Sequence, residues 1–147
     1  MCKSRILKRD KVNKQLQNII NYPLTIITAP MGYGKTTSVR EFLSACDAGN
    51  IWISLNAYFW TVVTGKISEI DKELGAIMCG LGFPSDNMQK ARLFDAISYK
   101  FIGCSCVLVL DDYHYAENDL LNDFLISASL CRIPGLHIVV ISRYRLK

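Results

Sequence analysis

Apolar residues along this 147-residue chain follow two rhythms. Four short runs are apolar almost without interruption: Leu24–Ala29, Ile51–Leu55, Cys106–Leu110 and Leu136–Ile141. Runs this dense, lacking polar alternation, are what parallel strands covered on both faces need. Between them apolar residues recur near every 3.6 positions, the helical period. Val39, Phe42, Leu43 and Cys46 share a face within Thr36–Ala48, and Phe59, Val63, Ile67, Ile70, Leu74, Ile77 and Met78 do so within Tyr58–Leu81. Ala91, Phe94, Ile97 and Phe101 form a third stripe, and Leu120, Leu121, Phe124, Leu125 and Ala128 a fourth, within Leu120–Leu130.

The breaks between segments support this division. Met1–Asn21 is a leader in which Val12, Leu16, Ile19 and Ile20 are spaced to share a helix face; Tyr22-Pro23 ends it, because the residue before proline is pushed out of the helical region. Gly65 lies inside the long segment Tyr58–Leu81 and weakens the expectation of one unbroken helix. Ser85 or Asp86 can cap the helix after Pro84, and Pro134-Gly135 turns the chain into its last run. Strands alternating with helices predict an α/β fold, a three-layer sandwich with a parallel sheet. The expected organisation is a leader and flanking helix over 1–23 and a core over 24–147. The core reads as truncated after its fourth strand, which would leave that strand without a covering helix and favour self-association through exposed apolar sheet.

Composition narrows the class. An apolar fraction of 50% with only four prolines argues against disorder, and no apolar stretch approaches the about 18 residues of a membrane span. Much of the net charge of +4 sits in the leader, where Lys3, Arg5, Lys8, Arg9, Lys11 and Lys14 face Asp10 alone. Without interleaved aromatics or a reading helix, that cluster fits a solvated leader or a contact at a ligand's edge better than a nucleic-acid surface. The six cysteines are scattered; Cys46, Cys79 and Cys106 fall in apolar patterns where thiols pack as small hydrophobes. With no secretory leader, the favoured reading is a cytoplasmic chain with reduced thiols.

Candidate chemistry gathers at the strand ends. Ala29–Thr36 (APMGYGKT) matches a phosphate-binding loop except that Ala29 stands at its first position. Pro30, Met31, Gly32, Tyr33 and Gly34 can turn consecutive backbone N–H groups inward at the positive end of the following helix. Lys35 would reach the outer phosphates of a nucleotide and the Thr36 hydroxyl would ligate Mg²⁺. Thr37 sits beside them, better suited to packing or a backbone bond than to a second metal contact. Asp111-Asp112 ends the third run, where a first acid can hold the metal and a second can orient the attacking water. Two carboxylates leading a strand into solvent are the plainer alternative. Arg143 occupies the matching end of the last run and could read a terminal phosphate or be a free surface arginine. His114 could tether the loop or touch a phosphate.

Taken together, APMGYGKTT (Ala29–Thr37), WISLN (Trp52–Asn56), Phe59-Trp60, VLVLDDYHY (Val107–Tyr115) and LHIVVISR (Leu136–Arg143) resemble the nucleotide-binding domain of the MalT-like, LuxR-type transcriptional activators, members of the signal-transduction ATPases with numerous domains (STAND). Ala29 is usual at that loop position in the family. The resemblance implies a P-loop NTPase that binds ATP or ADP with Mg²⁺ and hydrolyses ATP slowly as a switch. Lys35, Asp111, Asp112 and Arg143 would be catalytic, Thr36 and Asp111 would hold the metal, and Arg9 and Val12 would contact adenine and ribose. It further implies the sheet order second, third, fourth, first strand, with the phosphate-loop strand in the middle of the sheet. DNA would be bound only through domains absent from this chain. Asn56 stands where an acid is common in the family. The alternative reading is a degenerate P-loop interaction module that binds nucleotide without turnover.

Overall fold

The computed structural model describes residues 14–147. Arg9 and Val12, with most of the basic leader, lie outside the described residues. Four strands form one parallel sheet: β1 (Leu24–Thr28), β2 (Gly49–Ser54), β3 (Cys106–Asp111) and β4 (Leu136–Ser142), in the order β1-β4-β3-β2. Register is continuous across the centre, with Leu108 opposite both Ile51 and Ile138, and Ile26 opposite Val140. The helices are α1 (Lys35–Ser44), α2 (Phe59–Ile70), α3 (Lys72–Leu81), α4 (Asn87–Lys100) and α5 (Asp119–Cys131).

Strand residues alternate between two apolar layers, as the period of two requires. Val107, Val109, Val139 and Ile141 face Leu16 and Ile19 of the entering helical turn and Val39 and Leu43 of α1. Leu110, Leu136, Ile138 and Val140 face the other layer, built by α2 to α5 around Val63, Met78, Leu93, Phe94 and Phe124. This is the three-layer α/β sandwich that the two rhythms predict.

Several expectations are corrected. β1 stands at an edge of the four-stranded sheet, not in its middle, and Ile26 is 47% exposed. The strand that is covered on both sides is β4, which lies between β1 and β3; Val139, Val140 and Ile141 are at most 1% exposed, so it presents no uncovered apolar face. An almost purely apolar run does not reveal which strand holds the edge. The long segment 58–81 is two helices, and the break falls at Asp71 rather than Gly65. Asp71 is extended (φ −139, ψ 103), closing α2 while its carboxylate accepts the Leu74 N–H at 3.0 Å to begin α3. Ile70, next to that break, is exposed, as are Ile20, Ile77, Ala91 and Leu120, all expected to be buried. In α4 Phe94 is buried as expected and Ile97 and Phe101 pack against the core half-buried, while Lys90 and Leu93 take the inner positions that Ala91 does not. Cys79 is exposed rather than packed, whereas Cys106 is buried and Cys46 half-buried. Asp86 is the residue that caps α4, with Gln89 completing a capping box.

Candidate functional site

All strands run the same way, so their carboxyl ends share one rim, and every loop carrying chemistry leaves from that rim. β1 passes into the phosphate loop, tied at its start by the Ala29 N–H donating to Ser142 O on β4 (3.4 Å). Gly32 and Gly34 both have positive φ, 86° and 73°, with no protein atom near the position a Cβ would take. The backbone conformation demands glycine here, and the open side of the loop is the cleft. Gly34 is the N-cap of α1 and offers no side-chain acceptor, whereas α3, α4 and α5 are capped by Asp71, Asp86 and Asn118. The first-turn N–H groups of α1 therefore remain available to an anion, and no acid stands in that turn to compete.

Lys35 folds back over this loop, its ammonium donating to the carbonyls of Ala29 and Pro30. Thr36 points across to β3: its Oγ1 donates to Asp111 Oδ2 at 3.1 Å and lies 3.4 Å from Oδ1. Asp111 is 6% exposed, and its Oδ1 also accepts the Asp112 N–H at 2.8 Å. Asp112 takes a left-handed conformation (φ 56), which bends the chain at once into a 3₁₀ turn, Tyr113–Tyr115. Tyr113 anchors that turn: its side chain is fully buried and its hydroxyl donates to Asn122 Oδ1 at 2.7 Å. The turn returns His114 to β4, where its Nδ1 accepts the Arg143 N–H at 3.4 Å. The Arg143 guanidinium lies 5.8 Å from the Tyr115 ring centroid.

One cleft of about 330 Å³ is lined by Met31, Gly32, Gly34, Lys35, Thr36, Thr37, Asp111, Asp112, His114, Ile141, Ser142 and Arg143. The sequence-predicted residues thus converge, save Pro30 and Tyr33, which lie on the loop outside the cleft wall, and Arg9 and Val12, which are not described. Thr37 is exposed toward the cleft and not packed. Ser142, only 1% exposed, joins the wall although the motif LHIVVISR gave it no role; its Oγ accepts the Tyr144 N–H at 3.3 Å. Burial lowers the His114 pKa below its usual value, helped by the Arg143 and Lys35 charges and opposed by Asp112 and Asp111. A separate cavity of about 60 Å³ lies in the core among Val63, Met78, Leu93 and Phe124; its lining is entirely apolar, so it offers nothing to orient a polar ligand.

The donor set fits a nucleotide with Mg²⁺. Among the described residues no three His, Cys, Asp or Glu side chains gather to cage a metal. Thr36 and Asp111 together offer a hydroxyl and a carboxylate at one point, the sparse protein contribution that Mg²⁺ takes when phosphates and water complete its shell.

This fold and cleft define a P-loop NTPase-type domain. The solved structures agree: a Walker-type ATPase of Pyrococcus abyssi superposes with a TM-score of 0.57 over 95% of this chain and 46% of its own, at 16% identity. Cdc6p from Pyrobaculum aerophilum gives 0.56 over 97% and 41%, at 17% identity. No family model matches the chain. Among curated proteins, the HTH-type transcriptional regulator MalT of Yersinia pestis (strain Pestoides F) is 31% identical over 144 residues, covering 92% of this chain. MalT of Yersinia enterocolitica (serotype O:8) is 28% identical over the same length. The chain is a STAND-type P-loop ATPase domain related to the MalT-like transcriptional regulators, and it spans 16% of the length of those relatives. No helix among the described residues is long and apolar enough to cross a membrane.

Proposed function

We propose that this chain is the nucleotide switch of a larger, cytoplasmic transcriptional regulator, binding ATP or ADP with Mg²⁺ and hydrolysing the triphosphate slowly. The observation that carries this reading is the Thr36–Asp111 contact, which joins the first turn of α1 to the end of β3 where Mg²⁺ would be held. When bound, Mg²⁺ would supply positive charge to the outer phosphate oxygens. Lys35 would exchange the Ala29 and Pro30 carbonyls for those phosphates, while the loop amides between Met31 and Gly34 and the start of α1 hold the inner ones. Asp112 would orient the attacking water and Arg143 would read the terminal phosphate. Arg9 and Val12 are assigned to the adenine and ribose by resemblance alone. Occupancy by ADP or ATP would then set whether the intact regulator self-associates, and DNA contact would belong to other parts of it.

Calorimetric titration with ADP and ATP tests the binding half: Lys35→Ala should lose both nucleotides, and unchanged affinity in that variant would defeat the reading. Phosphate release, compared between the parent chain and Asp112→Asn, tests turnover. Background release in both, with binding intact, would instead establish the module that binds without hydrolysis. Asp112 leaves that outcome open, because an aspartate reaches less far toward a water than the glutamate often found in that role.

A further inference from the structure

β2 forms one border of the sheet, and among the described residues it pairs with β3 alone. The Gly49 N–H donates to Ser105 O at 3.1 Å and the Leu55 N–H to Asp111 O at 2.9 Å. In a parallel ladder each residue sends its N–H and C=O to one side and the next residue sends them to the other, so the odd-numbered residues serve β3. Asn50, Trp52 and Ser54 therefore turn both groups to the open flank. Proteins guard such an edge with proline, charge or a bulge. The strand sequence GNIWIS has neither proline nor charge, and its register with β3 runs from Gly49 to Ser54 without a bulge.

A cleft opens on each side of this edge. On the α1 side, one of about 390 Å³ is lined by Arg40, Leu43, Ser44, Asn50 and Trp52. It is polar: the Arg40 guanidinium lies 4.5 Å over the Trp52 ring centroid, and the Trp52 indole nitrogen is buried without an acceptor among the described residues. On the α2 side, one of about 410 Å³ runs past Ile53, Ser54, Val62 and Gly65. Gly65 has no protein atom within 4 Å of the position a Cβ would take, so that wall is open.

We propose that β2 pairs with β2 of a second copy of this chain, antiparallel about a two-fold axis at Trp52. The three outward residues are symmetric about Trp52, so Asn50 meets Ser54 of the second copy, the two Trp52 residues meet each other, and every pair exchanges both N–H···O bonds. A slip by two residues leaves one outward residue at each strand end without a partner. The same register supplies both clefts. Ser54 of the second copy comes beside Asn50 and brings a hydroxyl to the polar cleft, where Arg40 and the orphaned indole N–H need an acceptor. Ile51 of the second copy falls opposite Ile53, in the non-hydrogen-bonded pair whose side chains approach more closely, and enters the cleft beside Val62 and Gly65. The strand thus carries the complement of its own flanks, which selects a second copy over an unrelated segment. This contact goes beyond the nucleotide reading, since it uses the border of the sheet opposite the phosphate-loop strand.

Sedimentation equilibrium of the 147-residue chain tests the pairing, loaded at about 0.01–1 mM because so narrow an interface belongs with the weak ones. Monomer and dimer should exchange across that range. Asn50→Pro and Ser54→Pro each remove an outward N–H while sparing the β3 ladder, as proline on an edge strand allows. The two-fold axis deletes that donor twice, so each variant should lose about tenfold or more in association constant. Lys35→Ala should associate as the parent does, which separates this contact from the nucleotide reading. A parent that stays monomeric throughout, or a dimer unchanged in both proline variants, would overturn the proposal. Amide exchange on the parent needs no variant and stands even where a proline variant fails to fold. Between dilute and concentrated protein, protection should rise at Asn50, Trp52 and Ser54 and stay level at Ile51 and Ile53. Protection rising instead along Leu24–Thr28 would put the contact at the other border and refute the assignment.

Discussion

Replacing Gly135 with alanine should destabilise the protein far more than the same change at Gly103, although both glycines have nearly the same backbone conformation. Gly135 has φ 77 and Gly103 has φ 71, so each alanine meets the left-handed penalty of about 1 kcal/mol. Each also recovers about 0.4–1 kcal/mol by restricting the unfolded chain. At Gly103 no atom lies within 4 Å of the added Cβ, and the two effects nearly cancel. At Gly135 the Cβ would fall 2.0 Å from the Cys104 carbonyl oxygen and 3.2 Å from its carbon. That neighbour is backbone, fixed where Cys106 N–H donates to Gly135 O at 2.7 Å to align the starts of β3 and β4. Relief requires the two central strands to part, which places the cost at the upper end of the usual overpacking range, about 3 kcal/mol. With an unfolding entropy of about 2.1 cal/mol/K per residue over 147 residues, that is a fall in Tm of about 10 °C for Gly135→Ala. Gly103→Ala should melt within about 3 °C of the parent. Thermal melts followed by circular dichroism decide it, and two variants melting together would refute the steric argument.

Three further outcomes follow from the same geometry. Lys90, with only 8% of its side chain exposed, pairs with Asp123 and lies 3.3 Å from Ser127 Oγ; Asp123→Ala should lower stability in urea by about 1–3 kcal/mol, whereas Lys90→Met, which removes the buried charge itself, should stay within about 1 kcal/mol of the parent. The Asp71 carboxyl is held below its ordinary 3.8 chiefly by the Leu74 N–H and next by Lys100, so its contribution is present above that value and is lost as pH falls through the lowered one. An Asp71→Asn variant should therefore trail the parent at neutral pH and converge with it in acid melts, and a constant gap across that range would contradict the assignment. Thr36→Ala should abolish the gain in nucleotide affinity that Mg²⁺ confers while sparing metal-free binding, with Thr36→Ser retaining the gain; titrations with and without Mg²⁺ make the comparison.

The sequence carried the phosphate loop and the strand-end acids because local chemistry alone demands them: positive φ at Gly32 and Gly34, a lysine and a hydroxyl at the helix start. Strand identity was legible for the same reason, since period and apolar density are local. What escaped was set by packing between distant segments. The order second, third, fourth, first strand, implied by the family resemblance, holds, but the phosphate-loop strand expected in the middle stands at an edge of the four-stranded sheet, and no single run reports such pairings. The division of 58–81 at Asp71 was missed because the apolar period continues straight through the break, while an aspartate that ends one helix and caps the next leaves no periodic signature. His114 was noticed only for its nearness to the acids. Its place in the cleft comes from the left-handed turn at Asp112 and the buried Tyr113 anchor, neither of which a motif encodes.

The edge position of β1 bears on how a ligand would be felt by the rest of the molecule. Among the described residues the phosphate loop hangs from an edge strand paired with β4 alone, so the backbone amides that lead into the cleft belong to an edge ladder, as do those of β2 at the other border of the sheet. A nucleotide seated between Thr36 and Asp111 would clamp that ladder to β3 across the intervening β4. Slow amide exchange should then spread into Leu24–Thr28 on loading and recede on release. On that account a change in occupancy of the cleft would be felt first at the border of the sheet, along the β1–β4 ladder from which the phosphate loop departs.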